Sequence, residues 1–501
     1  MDRESSSRVN EMTRFIMNER EHSRRILMLV AYKSRDLEGH SLVAYHLQQR
    51  YGHEVRLTNI YDVERKIMEY APDLLVLDHL MWENKARQAE TAKRYGARVA
   101  VLPTEGLFQD TESAARMAGR VPEHTQWCDR YLAWGDYVRR AVLERKLMTP
   151  DQIYTTGCSR FDLYSEPYLA LIQSKEELAA KLGIANPDAP LILWCTNTTY
   201  RTQDRERFFE RYVGRAEFTR QEVYAMLEDE QTQYREHSRV VLELAQRNPE
   251  WNFVIKVHPA EPIADYLPLT EQAPNIHIAF DAPIRDFLYH CDVSLQRGCT
   301  TATECWMLGK PVIELQVGNF LRAAREEFVS GNHVASSVDE AERAIVAYLD
   351  GMPIPDDQQR ARDAFIEDFY YRIDGKSSER CAELLHEVVA PSAYSDEDQR
   401  RTRAAAAAAF ERWKSAEDAR LPNRIKDALG LSREASLRPW RSWRLGRTYN
   451  QGRAVAQPEI QPGMKEEVQE RYATLLEGRS RAGAPGMAEL RTERAPRTMA
   501  E

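Results

Sequence analysis

Residues Arg25–Leu57, RILMLVAYKSRDLEGHSLVAYHLQQRYGHEVRL, decide the fold. The run RILMLVAY has the length and unbroken apolar character of a strand covered on both faces. A polar segment, KSRDLEGHS, leads into SLVAYHLQQRYG, where Leu42, Val43, Tyr45, His46 and Leu47 mark the inner side of a helix. Gly52 ends that helix and HEVRL opens a second strand. A strand, loop, helix and strand in this order begin a doubly wound parallel sheet.

The alternation continues downstream. Helices are expected over Val63–Tyr70, Asn84–Tyr95 and Asp136–Lys146, with strands at Pro72–Leu77, Arg98–Leu102, Asp129–Trp134 and Gln152–Gly157. Residues 25–160 therefore read as one Rossmann-like domain, without a GxGxxG fingerprint, behind a polar leader, 1–24. Residues 161–189 read as a linker holding a helix over Lys175–Leu182. The strand Leu191–Cys195 opens a second Rossmann-like domain over 190–390, with a long polar insertion at 196–239. Its further strands are expected at Phe253–Val257, Ile276–Ala279, Asp292–Leu295 and Pro311–Leu315. Beyond Pro391 the texture changes. The alanine run within Arg401–Trp413 reads as one exposed helix, and the last forty or so residues as disordered. The fold class is thus α/β, two Rossmann-like domains with a helical, partly disordered extension over 391–501.

Composition narrows the function. A hydrophobic content of 43% and charged content of 29% fit a soluble globular protein, and a net charge of −9 argues against general nucleic-acid binding. Seven scattered cysteines without a CxxC pair point to reduced thiols in the cytoplasm, not to a disulfide framework or a zinc site. No apolar run reaches the roughly 18–20 residues of a membrane span. The stretch 437–447, LRPWRSWRLGR, combines Trp440 and Trp443 with four arginines. It can lie peripherally on the inner face of the cytoplasmic membrane, or pack its tryptophans on the body.

Chemistry gathers where apolar strands end, because ligands of open α/β sheets collect beyond the carboxyl ends of the strands. In Trp251–Pro259, WNFVIKVHP, the strand runs into Lys256 and His258, two residues apart and able to face one side, and Pro259 stops it. The turn Arg297-Gly298-Cys299-Thr300-Thr301 follows another strand and precedes an apolar helix. Its glycine, hydroxyls and backbone amides suit an anion, as capping alone also would. Together these residues fit a phosphate or diphosphate. On the first domain, Glu105 follows a strand beside Gly106 and can accept a proton from an attacking hydroxyl. Arg35 follows the first strand and can hold a substrate acid group or pair with Asp36 or Glu38. Asp374 and Ser377 read first as a helix start and, less strongly, as substrate contacts, and Arg160 and Asp162 as structural.

In order and spacing, Thr104-Glu105-Gly106, His258-Pro259 and Thr300-Thr301 resemble the short motifs of bacterial GT-B surface-polysaccharide transferases. These include polysialyltransferases, Kdo transferases and CDP-glycerol glycerophosphotransferases. The family pattern is acidic-acidic-Gly, so Thr104 departs from it and only Glu105 carries over as the base. Arg35-Asp36 and the segment Asp374 to Arg380 resemble further features of surface carbohydrate biosynthesis proteins, and the likeness spans residues 25–385. It implies a GT-B-like glycosyltransferase without metal or other cofactor. A nucleotide-activated, CMP-linked sugar would be the donor and a glycan or lipid-linked glycan the acceptor. Glu105 and His258 would be the catalytic residues. A CDP-polyol phosphotransferase, a UDP-sugar epimerase and a non-catalytic scaffold of envelope assembly are the alternatives.

Overall fold

The computed structural model describes residues 23–60, 63–108, 110–201, 206, 208–210, 219–279, 283–321, 326–419 and 463–482. The leader up to residue 22, much of the insertion (202–205, 207 and 211–218) and the stretch 437–447 lie outside them.

The first sheet is built from β1 (Arg25–Leu29), β2 (Glu54–Thr58), β3 (Leu74–Leu77), β4 (Arg98–Val101), β5 (Arg130–Ala133) and β6 (Ile153–Thr155). All its pairs are parallel, in the order β2-β1-β3-β4-β5-β6. Alternate residues of β1 feed two cores. Leu27 and Leu29 join the helices Val63–Tyr70 and Glu83–Arg94 on one face, while Ile26 and Met28 meet the helix Lys33–Tyr51 on the other. The second sheet comprises β7 (Leu191–Cys195), β8 (Asn252–Lys256), β9 (Ile276–Ala279), β10 (Val293–Gln296), β11 (Val312–Leu315) and β12 (His333–Ala335). It too is parallel, ordered β12-β11-β10-β7-β8-β9. Two doubly wound α/β domains are therefore present, as the alternation predicts. The switch in strand order falls between β1 and β3 in the first and between β7 and β10 in the second.

Three features differ from expectation. The helix after β1 begins at Lys33 rather than near Ser41, so the polar segment KSRDLEGHS forms its first turns. These charges are accommodated because Asp36 accepts the Tyr32 amide at 2.9 Å and pairs with Arg35 at 2.7 Å. The helix Ser377–Val389, at the end of the range expected for the second domain, instead lies on the first. Its Cys381, Ala382, Leu385, Val388 and Val389 join Ile26, Met28 and Val43 in one core. The extension also packs on the first domain. Thr402, Ala406 and Ala409 of the helix Asp396–Ala419 are buried, so the alanine run is not simply exposed. The helix Met464–Ala482 occupies part of the tail expected to be disordered. Val468 and Tyr472 bury against Val30, Leu42 and Tyr168, which gives this otherwise polar helix an apolar seam. Among the described residues, no helix is long and apolar enough to cross a membrane.

Candidate functional site

The carboxyl ends of the second sheet present three adjacent loops. After β8, Lys256 and His258 are half-buried, and the Lys256 ammonium stands 5.7 Å over the Phe287 ring. The Ala260 amide donates to His258 Nδ1 at 3.1 Å, which leaves the proton of the neutral ring on Nε2. Burial lowers the His258 pKa, aided by Lys256 and Arg35 and opposed by Glu261 and Glu105, so the neutral ring dominates at pH 7. After β10, Gly298 turns with a φ of +55° and donates its amide to the Glu314 carboxylate at 2.7 Å. No atom of the described residues lies within 4 Å of where a Gly298 Cβ would sit, so among them this turn is open to an approaching group. Burial pushes the Glu314 carboxyl up to about 7 against the pull of Gly298 and Arg297. Thr300 is exposed beside the turn, while the Thr301 hydroxyl turns back to Cys299 Sγ at 3.1 Å.

The first sheet contributes the facing wall. Glu105 follows β4 and pairs with Arg35, which also holds Asp36 and lies 4.7 Å over the Tyr32 ring. Burial would lower the Arg35 pKa, but Glu105 and Asp36 more than reverse this and keep the guanidinium charged. Gly106 packs against Trp134 so closely that a Cβ would come within 2.1 Å of the indole. After β3, at the switch point itself, lies a buried set that strand-end reasoning did not extend to. Asp78 pairs with Lys85 at 2.7 Å and approaches His79 at 3.7 Å. Burial alone would raise the Asp78 pKa, but His79 and Lys85 outweigh it and lower it.

The two walls meet across one cleft. Arg160, just after β6, reaches 4.0 Å from Asp36, and its Nε is buried without a hydrogen-bond partner. Glu304, in the helix Thr301–Met307 that follows the Gly298 turn, accepts the Tyr164 hydroxyl from the short helix Ser159–Tyr164 after β6 and bears electrostatically on Arg160. Arg285 of the second domain pairs with Glu38 of the first at 3.3 Å. His258 in turn feels the charges of Glu105 and Arg35. The ion pairs Glu105, Arg35, Asp36 and Arg160 of the first domain thus face His258 and Glu304 of the second, which interact with them electrostatically.

Most of the residues expected from sequence line this cleft. Glu105, Arg35, Lys256, His258, Gly298, Thr300 and Thr301 are brought to the strand ends, and exposed Pro259 closes the β8 loop. Three fall elsewhere. Arg297 turns inward and is buried, its guanidinium 3.5 Å from the Phe320 ring in a cation–π contact and in the field of Glu314. Asp374 is held by Arg380 at 2.8 Å, and the Ser377 hydroxyl accepts from the same arginine at 3.0 Å. The Ser377 amide donates to Asp162 at 2.8 Å, so Asp374 and Ser377 serve the start of their helix. Sequence reading missed Asp78, His79, Tyr164 and Glu304, and took Arg160 as structural. For the first two the signal was present, since LLVLDH repeats the pattern of an apolar strand ending in titratable residues. Among the described residues, no group of three or more His, Cys, Asp or Glu is placed to hold a metal ion.

No protein-family model matches the sequence, and no curated protein matches it either. Solved structures share the fold. A Listeria monocytogenes protein described as a candidate UDP-N-acetylglucosamine 2-epimerase superposes with a TM-score of 0.50 at 12% identity, over 73% of this chain and 96% of its own. The Neisseria meningitidis UDP-GlcNAc 2-epimerase bound to UDP-GlcNAc gives 0.47 at 14% identity, over 72% of this chain and 100% of its own. A Rickettsia africae glycosyltransferase gives 0.41 at 13% identity, over 74% and 99%. The likeness is one of fold, two Rossmann-like domains in the GT-B arrangement.

Proposed function

We propose that the chain is a glycosyltransferase of surface-polysaccharide assembly that moves a sugar from a nucleotide-activated donor to a glycan or lipid-linked glycan. The observation that supports this best is that the Glu105–Arg35 pair of one domain bears electrostatically on His258 of the other. In this reading the donor phosphate rests on the open turn at Gly298 and Thr300. The His258 Nε2–H donates a hydrogen bond to a phosphate oxygen and keeps its proton, and Lys256 supplies positive charge where negative charge develops. The acceptor oxygen attacks the anomeric carbon, the bond from that carbon to the donor phosphate breaks, and the phosphate leaves with its electron pair. Glu105, steadied by Arg35, takes the acceptor proton. The reaction uses no metal. The CMP-linked donor rests on the resemblance of the Glu105-Gly106, His258-Pro259 and Thr300-Thr301 motifs alone. The tail stretch 437–447 would hold the enzyme at the inner membrane surface, where a lipid-linked acceptor resides.

Thermal shifts with CMP-sugars, CDP-polyols and UDP-sugars test the donor site, and failure of every nucleotide to shift the melt overturns it. Glu105→Gln is expected to keep donor binding while lowering turnover by about 100-fold or more. Unchanged turnover in both Glu105→Gln and His258→Ala would remove these roles. Product analysis separates sugar transfer from polyol-phosphate transfer and epimerisation. Donor binding without turnover, with a stable protein partner, would make the chain a scaffold.

A further inference from the structure

The three residues after β7, Thr196-Asn197-Thr198, stand at the switch point of the second sheet, between the His258 loop on one side and the Gly298 turn on the other. Each hydrogen-bonds to one of these flanking loops. Thr196 Oγ1 accepts the His258 amide at 2.9 Å. Asn197 Nδ2 donates to the Arg297 carbonyl at 3.0 Å. Thr198 gives both its amide and its hydroxyl to the Glu261 carboxylate, each at 2.8 Å. Glu261 also accepts the buried Tyr266 hydroxyl, and its own amide donates to the His258 carbonyl at 2.9 Å. The carboxylate is 6% exposed and has three donors. Burying a charge is costly unless such donors meet it, and a packed apolar side chain would hold a loop without that cost. What the charge adds is its field on the ring three residues away.

We infer that Glu261 is a positioning residue of the donor site: by fastening Thr198 and Tyr266 to the loop that carries His258, it fixes where the imidazole stands and which charge state it takes. This rests on the proposed donor role of His258 for its functional meaning, but not for its test. The charged groups bearing on His258 are Glu261 and Lys256 from its own loop and Glu105 and Arg35 from the other domain. Of these, Glu261 is tied to the His258 backbone through its own amide and, by way of Thr198, belongs to the segment whose Thr196 receives the His258 amide. Substitution by Gln keeps the shape, since its amide oxygen can accept the Thr198 amide while its nitrogen donates to the two hydroxyls.

Carbon-13 labelling of histidine Cε1 in the full chain, with the His258 signal assigned by its loss in His258→Asn, gives the titration midpoint directly. Glu261→Gln is expected to lower the His258 midpoint by about half a pH unit or more, because a carboxylate favours the charged ring. Glu261→Asp keeps the charge but moves it back by one methylene, and a smaller downward shift is expected. An unchanged midpoint in a folded Gln or Asp variant overturns the inference and leaves Glu261 a structural carboxylate. The same variants report on the site when CMP binding is followed against pH. Protonation of His258 should strengthen phosphate binding, so the inflection in affinity should move to lower pH in Glu261→Gln, together with the NMR midpoint. If CMP and the other nucleotides fail to bind the unaltered protein, the donor reading falls while the NMR result still decides the role of Glu261.

Discussion

Gly106 is the residue on which the placement of Glu105 turns. Its neighbour Trp134 is buried and fixed by a hydrogen bond from Nε1 to the Pro103 carbonyl at 2.9 Å, so the indole cannot retreat. Gly106→Ala would set a methyl 2.1 Å from the ring. Overpacking of this kind costs about 1–3 kcal/mol, and here it would push the backbone that carries Glu105. Urea unfolding of Gly106→Ala should show that loss, and turnover should fall further than stability alone explains. An alanine variant as stable as the native chain would show that the loop yields freely. The same residue shows what sequence could and could not say about the site. A glycine beside a carboxylate at a strand end was legible. Its tight packing on Trp134 was not, because the contact joins the ends of β4 and β5. Arg297 failed for a related reason. Its position after β10 was read correctly, but the direction of its side chain depends on Phe320, whose nearness only the fold creates.

At the scale of elements, the strands were legible because parallel strands covered on both faces are written as short apolar runs. β7 and β9 fall on the residues expected, as do the helices Val63–Tyr70 and Lys175–Leu182. β12 was missed, being three residues long with only Ala335 buried. The helix Thr111–Ala118 was missed because its buried side is written in alanines rather than larger apolar residues. The helix Ser377–Val389 was expected, but not its N-terminal cap. Lys376 offers no side-chain cap, and Asp162 supplies one from 215 residues away, accepting the Ser377 and Ser378 amides at 2.8 and 2.7 Å and the Ser378 hydroxyl at 2.6 Å. Both serines are buried, so losing Asp162 leaves donors that water does not reach. Asp162→Ala should destabilise the protein by about 2–4 kcal/mol. Hydrogen exchange should rise across 377–389 before it rises in β1 or β3. Equal protection in the variant would mean that apolar burial alone holds the helix.

For the whole molecule, the last described helices return from the second domain to the first, so part of the chain's integrity rests on their docking. Histidines weigh heavily in that balance. Among the described residues, eight histidines have pKa values lowered mainly by burial: His46 to about 4, His53 and His237 to about 3, and His40, His79, His258, His277 and His386 in the same direction. An unfolded histidine takes up its proton near pH 6.5, whereas these remain neutral in the fold. Below that pH the unfolded chain binds more protons, so stability falls with acid, at about 1.4 kcal/mol per pH unit for each such group. Three carboxyls act in the opposite sense. Asp162 is pushed up to about 6, Glu314 to about 7, and Asp286 is also raised, all mainly by burial, so their contribution is present at low pH and fades as pH rises through those values. Among the described residues, eight such histidines against three such carboxyls set the net sign between roughly pH 4 and 6.5. The effect is also localised. His53 Nε2 lies 3.0 Å from His386 Nδ1, joining the loop before β2 to the Ser377–Val389 helix, and Tyr51 stacks on His386 with ring centres 4.0 Å apart. One proton can bridge the two rings, but a second places like charges together beside Arg24. Melting followed from pH 7.5 to 5 should therefore show a falling Tm, with exchange rising first over 377–389. His53→Gln, which removes one of the two titrating rings, should flatten the fall. A Tm independent of pH in this range would mean that the raised carboxyls balance the histidines after all.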